Sequence, residues 1–311
     1  MGFWSWLTGR APAARAKAGA SSPVKPSQEP TAPSQPALVL RPPVPAPALG
    51  EAQVALALAL LQRVPQPWSQ FEPNQVSGLA CVAALDAVLR EPGLDDRWLP
   101  RAASLVPQLM SLLRQPEVAP IELENRVARD VLLSAEVLQM AAGAHYASRG
   151  PVRDLRDALA RLGHTGLQRA MSRVVLRPLF KPETDPAVAP IQALLQRHID
   201  WQADALADGA VLQGLDAFDG YLAGLLHGAG WQALLRIVSA AGAWSSVSAT
   251  PELAQALASR AHRLFGRAAS GWALSPAFAA FAVQAEAIGA VATDPLSLAW
   301  AQLQPQSPVL A

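Results

Sequence analysis

Cysteine is almost absent from this chain of 311 residues, in which Cys81 stands alone. A single cysteine can form neither an intramolecular disulfide nor a thiolate metal cluster, so the sequence excludes both. Because its neighbours are apolar, we interpret Cys81 as a small core residue. This cysteine usage is typical of a reducing compartment and favours a cytoplasmic location.

Long apolar runs are also missing. No 18 consecutive strongly apolar residues occur, and the run from Val54 to Leu61 is too short to cross a bilayer. The first residues lack the early positive charges and the long apolar segment of a signal peptide. We therefore expect a soluble, cytoplasmic protein without an integral membrane segment.

Charged residues are scarce too, at 16% of the chain, and the net charge is +1. Nucleic-acid binding through bulk electrostatics needs clustered Lys and Arg, so we expect no nucleic-acid partner. One basic stretch does occur, and it contains Arg149, Arg153, Arg156, Arg161, Arg169 and Arg173. Asp154 and Asp157 interleave with it, which predicts ion pairs within solvated helix faces. Binding of an acidic partner or of a nucleotide phosphate is the alternative.

Proline is concentrated at the start of the chain, where ten of the 28 prolines precede residue 50. Proline removes backbone donors, and this tract has few large apolar residues that could offset the entropy of ordering it. We therefore predict a disordered Pro/Ala-rich linker over residues 11–48. Ahead of it, residues 1–10 form a short peptide with Phe3, Trp4 and Trp6, a candidate docking peptide for a partner. A terminal helix that lies back on the domain explains these aromatics equally well.

From Gly50 onward, apolar residues recur at helical spacing, for example at Leu79, Val82, Leu85 and Leu89. Alternating β-branched segments of strand length are missing, so the sequence predicts an all-α fold. The predicted organisation is a helical N-terminal extension over 49–97 packed on the core, a helical domain over 98–303 and a frayed tail over 304–311.

The segment from Tyr221 to Trp231 reads Tyr-Leu-Ala-Gly-Leu-Leu-His-Gly-Ala-Gly-Trp. This pattern predicts an apolar helix that ends at His227, a small-residue turn at Gly228 and Gly230, and a second helix over 231–241. Another glycine, Gly163, is predicted to separate two helices in the same way.

Several short motifs follow one another in order from residue 98 to residue 303. They are Leu99-Pro100, Asp130-Val131-Leu132, Met140-Ala141-Ala142-Gly143-Ala144-His145-Tyr146, Ala158-Leu159 with Leu162-Gly163, Gln196-Arg197-His198, Tyr221 to Gly230, and Gly271-Trp272 with Leu274-Ser275-Pro276. The ordered set resembles the HDOD family, helical output domains related to the metal-dependent HD phosphohydrolases. The resemblance implies a multi-helix HD-like domain.

The chain departs from the family pattern at several positions, most of which are polar in the family. Gly228 stands at the metal-binding aspartate of the HD motif, and Val131 stands at a turn proline. Ala142-Gly143 replaces Asn-Ser, and Gln284-Ala285 replaces a frequent His-His pair. A binuclear phosphohydrolase needs a bridging carboxylate to activate water, so we expect no catalytic residues, no metal and no cofactor.

The resemblance marks four vestigial positions of the HD site, namely His198, His227, Gly228 and Asp294. From the residues themselves, the two histidines are interpreted as core side chains, and Asp294 as the residue that starts a closing helix. Trp231 is expected to fill the space that metals and substrate would occupy. Trp231, Tyr146 and Trp201 are the candidate residues of a pocket or partner groove.

The resemblance implies a non-catalytic regulatory protein of bacterial signal transduction that acts through protein–protein interaction. A groove lined by apolar and small residues could accept an amphipathic helix of the partner. Two alternatives stay open. One is a residual HD-type phosphohydrolase that uses His198, His227 and Asp294, and the other is a small-ligand sensor that uses the vacated pocket. Serine-hydrolase, P-loop and zinc-protease motifs do not occur in the sequence.

Overall fold

The structure is a computed structural model, and the residues that it describes all belong to one compact unit, Pro45–Ala311. The described residues are 49–64, 75–99, 127–143, 150–180, 188–247, 249–272, 274–287 and 292–303, with Leu105, Leu109, Glu124 and Asn125 between them. Several predictions fall outside these residues. They concern the linker at 11–48, the peptide with Phe3, Trp4 and Trp6, the tail from residue 304, and Tyr146.

Within the described ranges the regular structure consists of α-helices, and no strand occurs there, which confirms the all-α prediction. The helices are α1 (Glu51–Arg63), α2 (Gln75–Arg90), α3 (Val131–Ala141), α4 (Leu155–Leu176), α5 (Ala189–Leu212), α6 (Ala217–Ala240), α7 (Pro251–Ala269), α8 (Pro276–Glu286) and α9 (Pro295–Ala301). Short 3-10 turns at Arg177–Phe180 and Ala243–Ser246 follow α4 and α6. None of the described helices is both long enough and apolar enough to span a membrane.

Local sequence explains where most of these helices begin. Asp130, Asp154, Thr250, Ser275 and Asp294 each accept a hydrogen bond from the backbone N–H three residues further on. Such caps satisfy donors that the first turn leaves without a partner. Inside α4, Gly163 has a φ of 61° and interrupts the helix at the predicted place, because glycine adopts the left-handed region without steric cost.

The central helix is α6, and the prediction that it ends at His227 is wrong. It continues without a break to Ala240. A Cβ atom on Gly224 would lie 2.7 Å from Cα of Ala203 in α5, and one on Gly230 would collide with the Ala261 carbonyl of α7. The glycines therefore permit close packing of α6 between two neighbours, and this packing offsets their low helix propensity. They do not form a turn.

The first two helices pack on the same core. α1 contacts α5 and α7, and α2 contacts α6 and α7. Arg260 of α7 donates to both carboxylate oxygens of Asp86 in α2, at 2.9 and 2.8 Å. Cys81 is buried in α2, where its Sγ lies 3.2 Å from the Ala243 carbonyl and burial raises the pKa of the thiol to about 11. This cysteine is a core residue and not a reactive thiolate.

The basic stretch divides into two kinds of arginine. Arg161 donates to Asp157 at 2.7 Å, which is the predicted pair within one helix face. Arg173 instead has partners on three other helices, namely Glu136 of α3 at 3.2 Å, Asp200 of α5 at 2.7 Å and the Tyr221 hydroxyl of α6 at 3.0 Å. For Arg173 the expectation of pairing within one solvated face is wrong, because α3, α4, α5 and α6 converge around it. Arg149 lies outside the described residues.

Candidate functional site

His227 lies in the middle of α6 and is completely buried. Its Nε2 is 3.0 Å from Nδ1 of His262 in α7, so one ring donates a hydrogen bond and the other accepts it. Its ring centroid lies 4.0 Å from that of Trp300 and 5.1 Å from that of Phe265. His227 is therefore part of an aromatic core and does not line an open cleft.

His262 was missed by sequence analysis, although the pattern contained a usable indication of it. It lies on the apolar face of α7, one turn from Ala258 and from Phe265, both of which are buried. This position indicates a buried histidine. Its contact with His227 could not be predicted, because that contact depends on how α6 and α7 cross.

His198 is the third buried imidazole, and it lies on α5 with its ring centroid 5.2 Å from that of Trp201. Neither of its ring nitrogens has a partner of normal hydrogen-bond geometry in the described part of the chain. Burial lowers the pKa of His198 to about 4, and the nearby Gln202 side chain opposes this effect only in part.

The three imidazoles are neutral near pH 7 for the same physical reason. Burial lowers the pKa of His262 to about 4. Burial, and then the neighbouring His262 and His198, holds the pKa of His227 well below its usual range. Neutral imidazole can bind metals. However, no group of three His, Cys, Asp or Glu side chains suited to a metal ion occurs among the described residues.

Position 228 has no room for the aspartate of an HD motif. A Cβ atom on Gly228 would lie 2.5 Å from Cδ1 of Ile199 and 3.1 Å from Cε1 of Phe180. Both side chains are buried in the core. The side chains nearest to this position are therefore Ile199 and Phe180.

Trp231 begins a buried chain of hydrogen bonds. Its Nε1 donates to Oε1 of Gln53 at 3.1 Å, and Nε2 of Gln53 donates to Oε1 of Gln202 at 2.9 Å. Nε2 of Gln202 then donates to the Gly224 carbonyl at 2.5 Å. The three side chains are buried, and the chain joins α1, α5 and α6. A fully paired polar network of this kind fixes the relative position of the helices that it links.

Both glutamines were missed by sequence analysis. Gln53 lies between Ala52 and Leu56 on the buried face of α1, and Gln202 lies one turn after His198 on the buried face of α5. Each position indicates a buried amide, which needs hydrogen-bond partners. The identity of those partners is a tertiary property.

Asp294 caps α9, as expected of a residue that starts a helix. Its Oδ1 accepts a hydrogen bond from the Ser297 N–H at 3.0 Å. The other carboxylate oxygen is buried and has no hydrogen-bond partner in the described structure. Trp300 of the same short helix contacts His227, but Asp294 does not join the histidines in a group of metal ligands within the described residues.

The comparisons with known proteins agree with this architecture. The family model of the HDOD domain matches residues 99–282, which is more than half of the chain. A search of curated proteins finds no match. The match leaves α1 and α2 outside the family region, because both helices precede residue 99.

Three solved structures are similar to this chain. A protein from Shewanella amazonensis SB2B, provisionally named a metal-dependent phosphohydrolase, has a TM-score of 0.51 and 18% identity, with 73% of this chain and 82% of that chain covered. An HDOD domain protein of unknown function from Geobacter sulfurreducens has a TM-score of 0.44 and 20% identity, with 72% and 76% covered. A provisionally named signal transduction protein from Marinobacter aquaeolei VT8 has a TM-score of 0.43 and 18% identity, with 69% and 51% covered. At such identities the first of these similarities shows the fold alone. The match to the family model shows that this chain belongs to the HDOD domain family.

Proposed function

We propose that this chain is a non-catalytic HDOD protein that acts in bacterial signal transduction by binding another protein. The observation that carries the proposal is the packing at Gly228. Ile199 and Phe180 occupy the space that an aspartate side chain would need. The chain has no carboxylate at this position, and two-metal hydrolysis depends on such a bridging ligand to hold both cations.

The burial of the histidines supports the same proposal. His198 and His227 have no exposed surface, and His262 has very little. A phosphohydrolase must bring metal, water and a phosphate ester together at its ligands, whereas these rings pack against aromatic side chains. A small-ligand sensor would in turn need free space at position 228, which is filled.

A protein-binding role is also consistent with the surface of α3. In this short helix the solvent-exposed fraction is 80% for Val131, 53% for Leu132 and 38% for Leu138. Large apolar side chains grouped in this way are typical of surfaces that bind proteins. The neighbouring Arg129 is exposed as well, so a partner with an apolar face and an acidic side chain at its edge would be complementary.

We expect the purified full-length chain to contain no stoichiometric Mn, Fe or Mg. We also expect it not to hydrolyse bis-p-nitrophenyl phosphate in buffers that contain these metals, because the bridging ligand is missing. Elemental analysis and an absorbance assay measure the two quantities. Stoichiometric metal together with metal-dependent hydrolysis would overturn the proposal in favour of a residual phosphohydrolase with an unusual ligand set.

Partner binding is expected to depend on the exposed face of α3. Val131→Lys should weaken capture of a specific protein from cells at least about tenfold, because it places a charge in an apolar contact. Val283→Lys is the matched control, since Val283 is also a helical valine and is 67% exposed. The captured protein must then bind the purified wild-type chain directly. Equal capture by both variants, or no direct binding, would contradict this surface as the binding site.

A further inference from the structure

The solvent-facing side of α3 carries no charge. The only charged side chain of this helix is Glu136, which is mostly buried and pairs with Arg173 of α4 at 3.2 Å. The exposed residues of the helix are Val131, Leu132, Ala135, Leu138 and Gln139, followed by Ala142 at the C-cap, where the backbone is still helical. A helix that faces only water typically carries charged residues on that side, so this face is suited to contact with another apolar surface.

The same helix holds the largest group of exposed apolar side chains in the described part of the chain. Three large apolar residues are exposed on α3, whereas no other described helix exposes more than two. The others are Leu79 of α2, Val211 and Leu212 at the end of α5, and Val283 of α8. Isolated exposed apolar residues are normal in proteins, and a group on one helix face indicates a contact surface.

Bulky and small residues alternate along this face in a symmetric pattern. Val131, Ala135, Leu138 and Ala142 follow one another at intervals of four, three and four residues, which is the spacing of a seam between two packed helices. When a second copy of α3 runs antiparallel along the first, Val131 lies opposite Ala142 and Leu138 lies opposite Ala135. Each bulky side chain then meets a small one, which fills the space between the helices without overpacking. A parallel pair would instead place valine opposite valine and alanine opposite alanine.

The two ends of α3 are complementary in charge in the same antiparallel arrangement. Arg129 is exposed and precedes the N-cap Asp130, whereas the last turn of α3 contains no basic residue. In the antiparallel pair, Arg129 of each copy lies near the C-terminus of the other copy's α3. A helix C-terminus carries partial negative charge, which a nearby cation stabilises. The two Arg129 side chains lie at opposite ends of the pair and therefore do not repel each other.

We propose that the partner bound at α3 is a second copy of this chain, held by an antiparallel α3–α3 pair with twofold symmetry. In such an interface the same patch of both subunits must be complementary to itself, and the order of bulky and small residues meets this requirement. The inference rests on the proposed protein-binding function and names the partner for the same surface. A contact between two helices of 11 residues is small, so we expect a weak dimer with a dissociation constant on the order of 10 μM.

Sedimentation equilibrium of the purified full-length chain tests whether the dimer forms through α3. Val131→Lys should raise the dissociation constant at least about tenfold, because it places two charges in the apolar seam. Val283→Lys is the matched control, since Val283 is an exposed helical valine of α8, and it should leave the dissociation constant unchanged. A chain that stays monomeric up to a concentration of about 200 μM would overturn the proposal, whether or not another segment covers α3. A dimer that Val131→Lys does not weaken would overturn it as well.

An exchange of the bulky and the small residue tests the antiparallel register. Val131→Ala alone leaves a gap opposite Ala142, and Ala142→Val alone places two valines opposite each other. Each change should raise the dissociation constant at least about threefold. The double variant again has one valine opposite one alanine, so its dissociation constant should return to within about twofold of the wild-type value. Losses that simply add in the double variant would overturn the proposed pairing, because a role of either residue within its own subunit would not be rescued in this way.

Failure of this inference is distinct from failure of the proposed function. A monomeric chain that still captures a different protein through Val131 would refute the α3–α3 pair alone. Stoichiometric metal together with metal-dependent hydrolysis would refute the proposed function, whatever sedimentation equilibrium shows about the dimer.

Discussion

Restoring the missing aspartate with Gly228→Asp is expected to unfold or severely destabilise this protein, and not to create a metal site. A Cβ atom alone would lie 2.5 Å from Ile199 Cδ1, and the carboxylate would enter a buried part of the core. Overpacking and the desolvation of a charge act together here, so we expect a loss of at least about 4 kcal/mol in the free energy of unfolding. Urea unfolding followed by far-UV circular dichroism measures this loss.

The control for this experiment is Gly93→Asp. Gly93 is exposed, and a Cβ atom there would meet nothing within 4 Å, so we expect a change within about 0.5 kcal/mol in the free energy of unfolding.

Because Gly228→Asp could fail to fold, Gly228→Ala provides a second readout, and we expect it to reduce the free energy of unfolding by about 1–3 kcal/mol. In an Ile199→Ala background this cost should fall by at least about 1 kcal/mol, since the clashing side chain is gone. A well-folded Gly228→Asp variant that binds a divalent metal would refute the interpretation of a filled site.

Acidification from pH 7.5 to pH 5.0 is the second change for which we expect a large effect. The pKa values of His198 and His262 are lowered to about 4 by burial, and that of His227 lies well below its usual range. In the unfolded chain these imidazoles take up protons near their ordinary value of about 6.5. The stability that they contribute is therefore fully present above pH 6.5. It is lost as the pH falls toward 4, because only the unfolded state binds the protons in this interval.

The size of the acid effect follows from the interval in pH. Each histidine contributes about 1.4 kcal/mol per pH unit below 6.5, so the three together should cost on the order of 6 kcal/mol at pH 5.0. Burial raises the pKa of Asp200 and of Asp219, which acts in the opposite direction and reduces the net loss. The net loss is still comparable with the total stability of a typical domain.

Urea unfolding at several pH values between 7.5 and 5.0 measures this linkage. In His262→Gln, unfolding should take up about one proton fewer in this pH range. The free energy of unfolding should therefore fall less steeply as the pH decreases. His164→Gln is the matched control, because His164 is exposed on α4 and its replacement leaves the three buried imidazoles in place. Stability that does not change between pH 7.5 and pH 5.0 would show that the buried imidazoles are not neutral groups sealed from water.

Much of the fold could be predicted because it depends on local physical chemistry. Apolar spacing indicated helices, the pattern at Asp294 and Pro295 indicated the start of α9, and Gly163 indicated a break inside α4. The same reasoning failed at Gly228 and Gly230. Glycine ends helices in isolation, but here its missing side chain lets α5 and α7 approach α6 closely, and that benefit exists only once the helices are packed.

The candidate site shows the same division. The sequence pointed to His198 and His227 through their motifs, but not to His262 or Gln53. The residues that complete the core come from other helices. Gln53 of α1 precedes its partner Trp231 by 178 residues, and His262 of α7 follows its partner His227 by 35 residues. The spacing of residues within one helix cannot predict which side chain of another helix a residue contacts.

Sequence by itself determined three things about this protein. They are its all-α class, its membership of the HDOD domain family through ordered short motifs, and the absence of the HD aspartate at position 228. Only the tertiary structure decided what that absence means. Ile199 and Phe180 fill the position, α6 continues through it, and α1 packs on α5 and α7. The physical reason is that helix formation depends on residues a few positions apart, whereas the space beside Gly228 and the proton affinity of His227 depend on what distant helices place there.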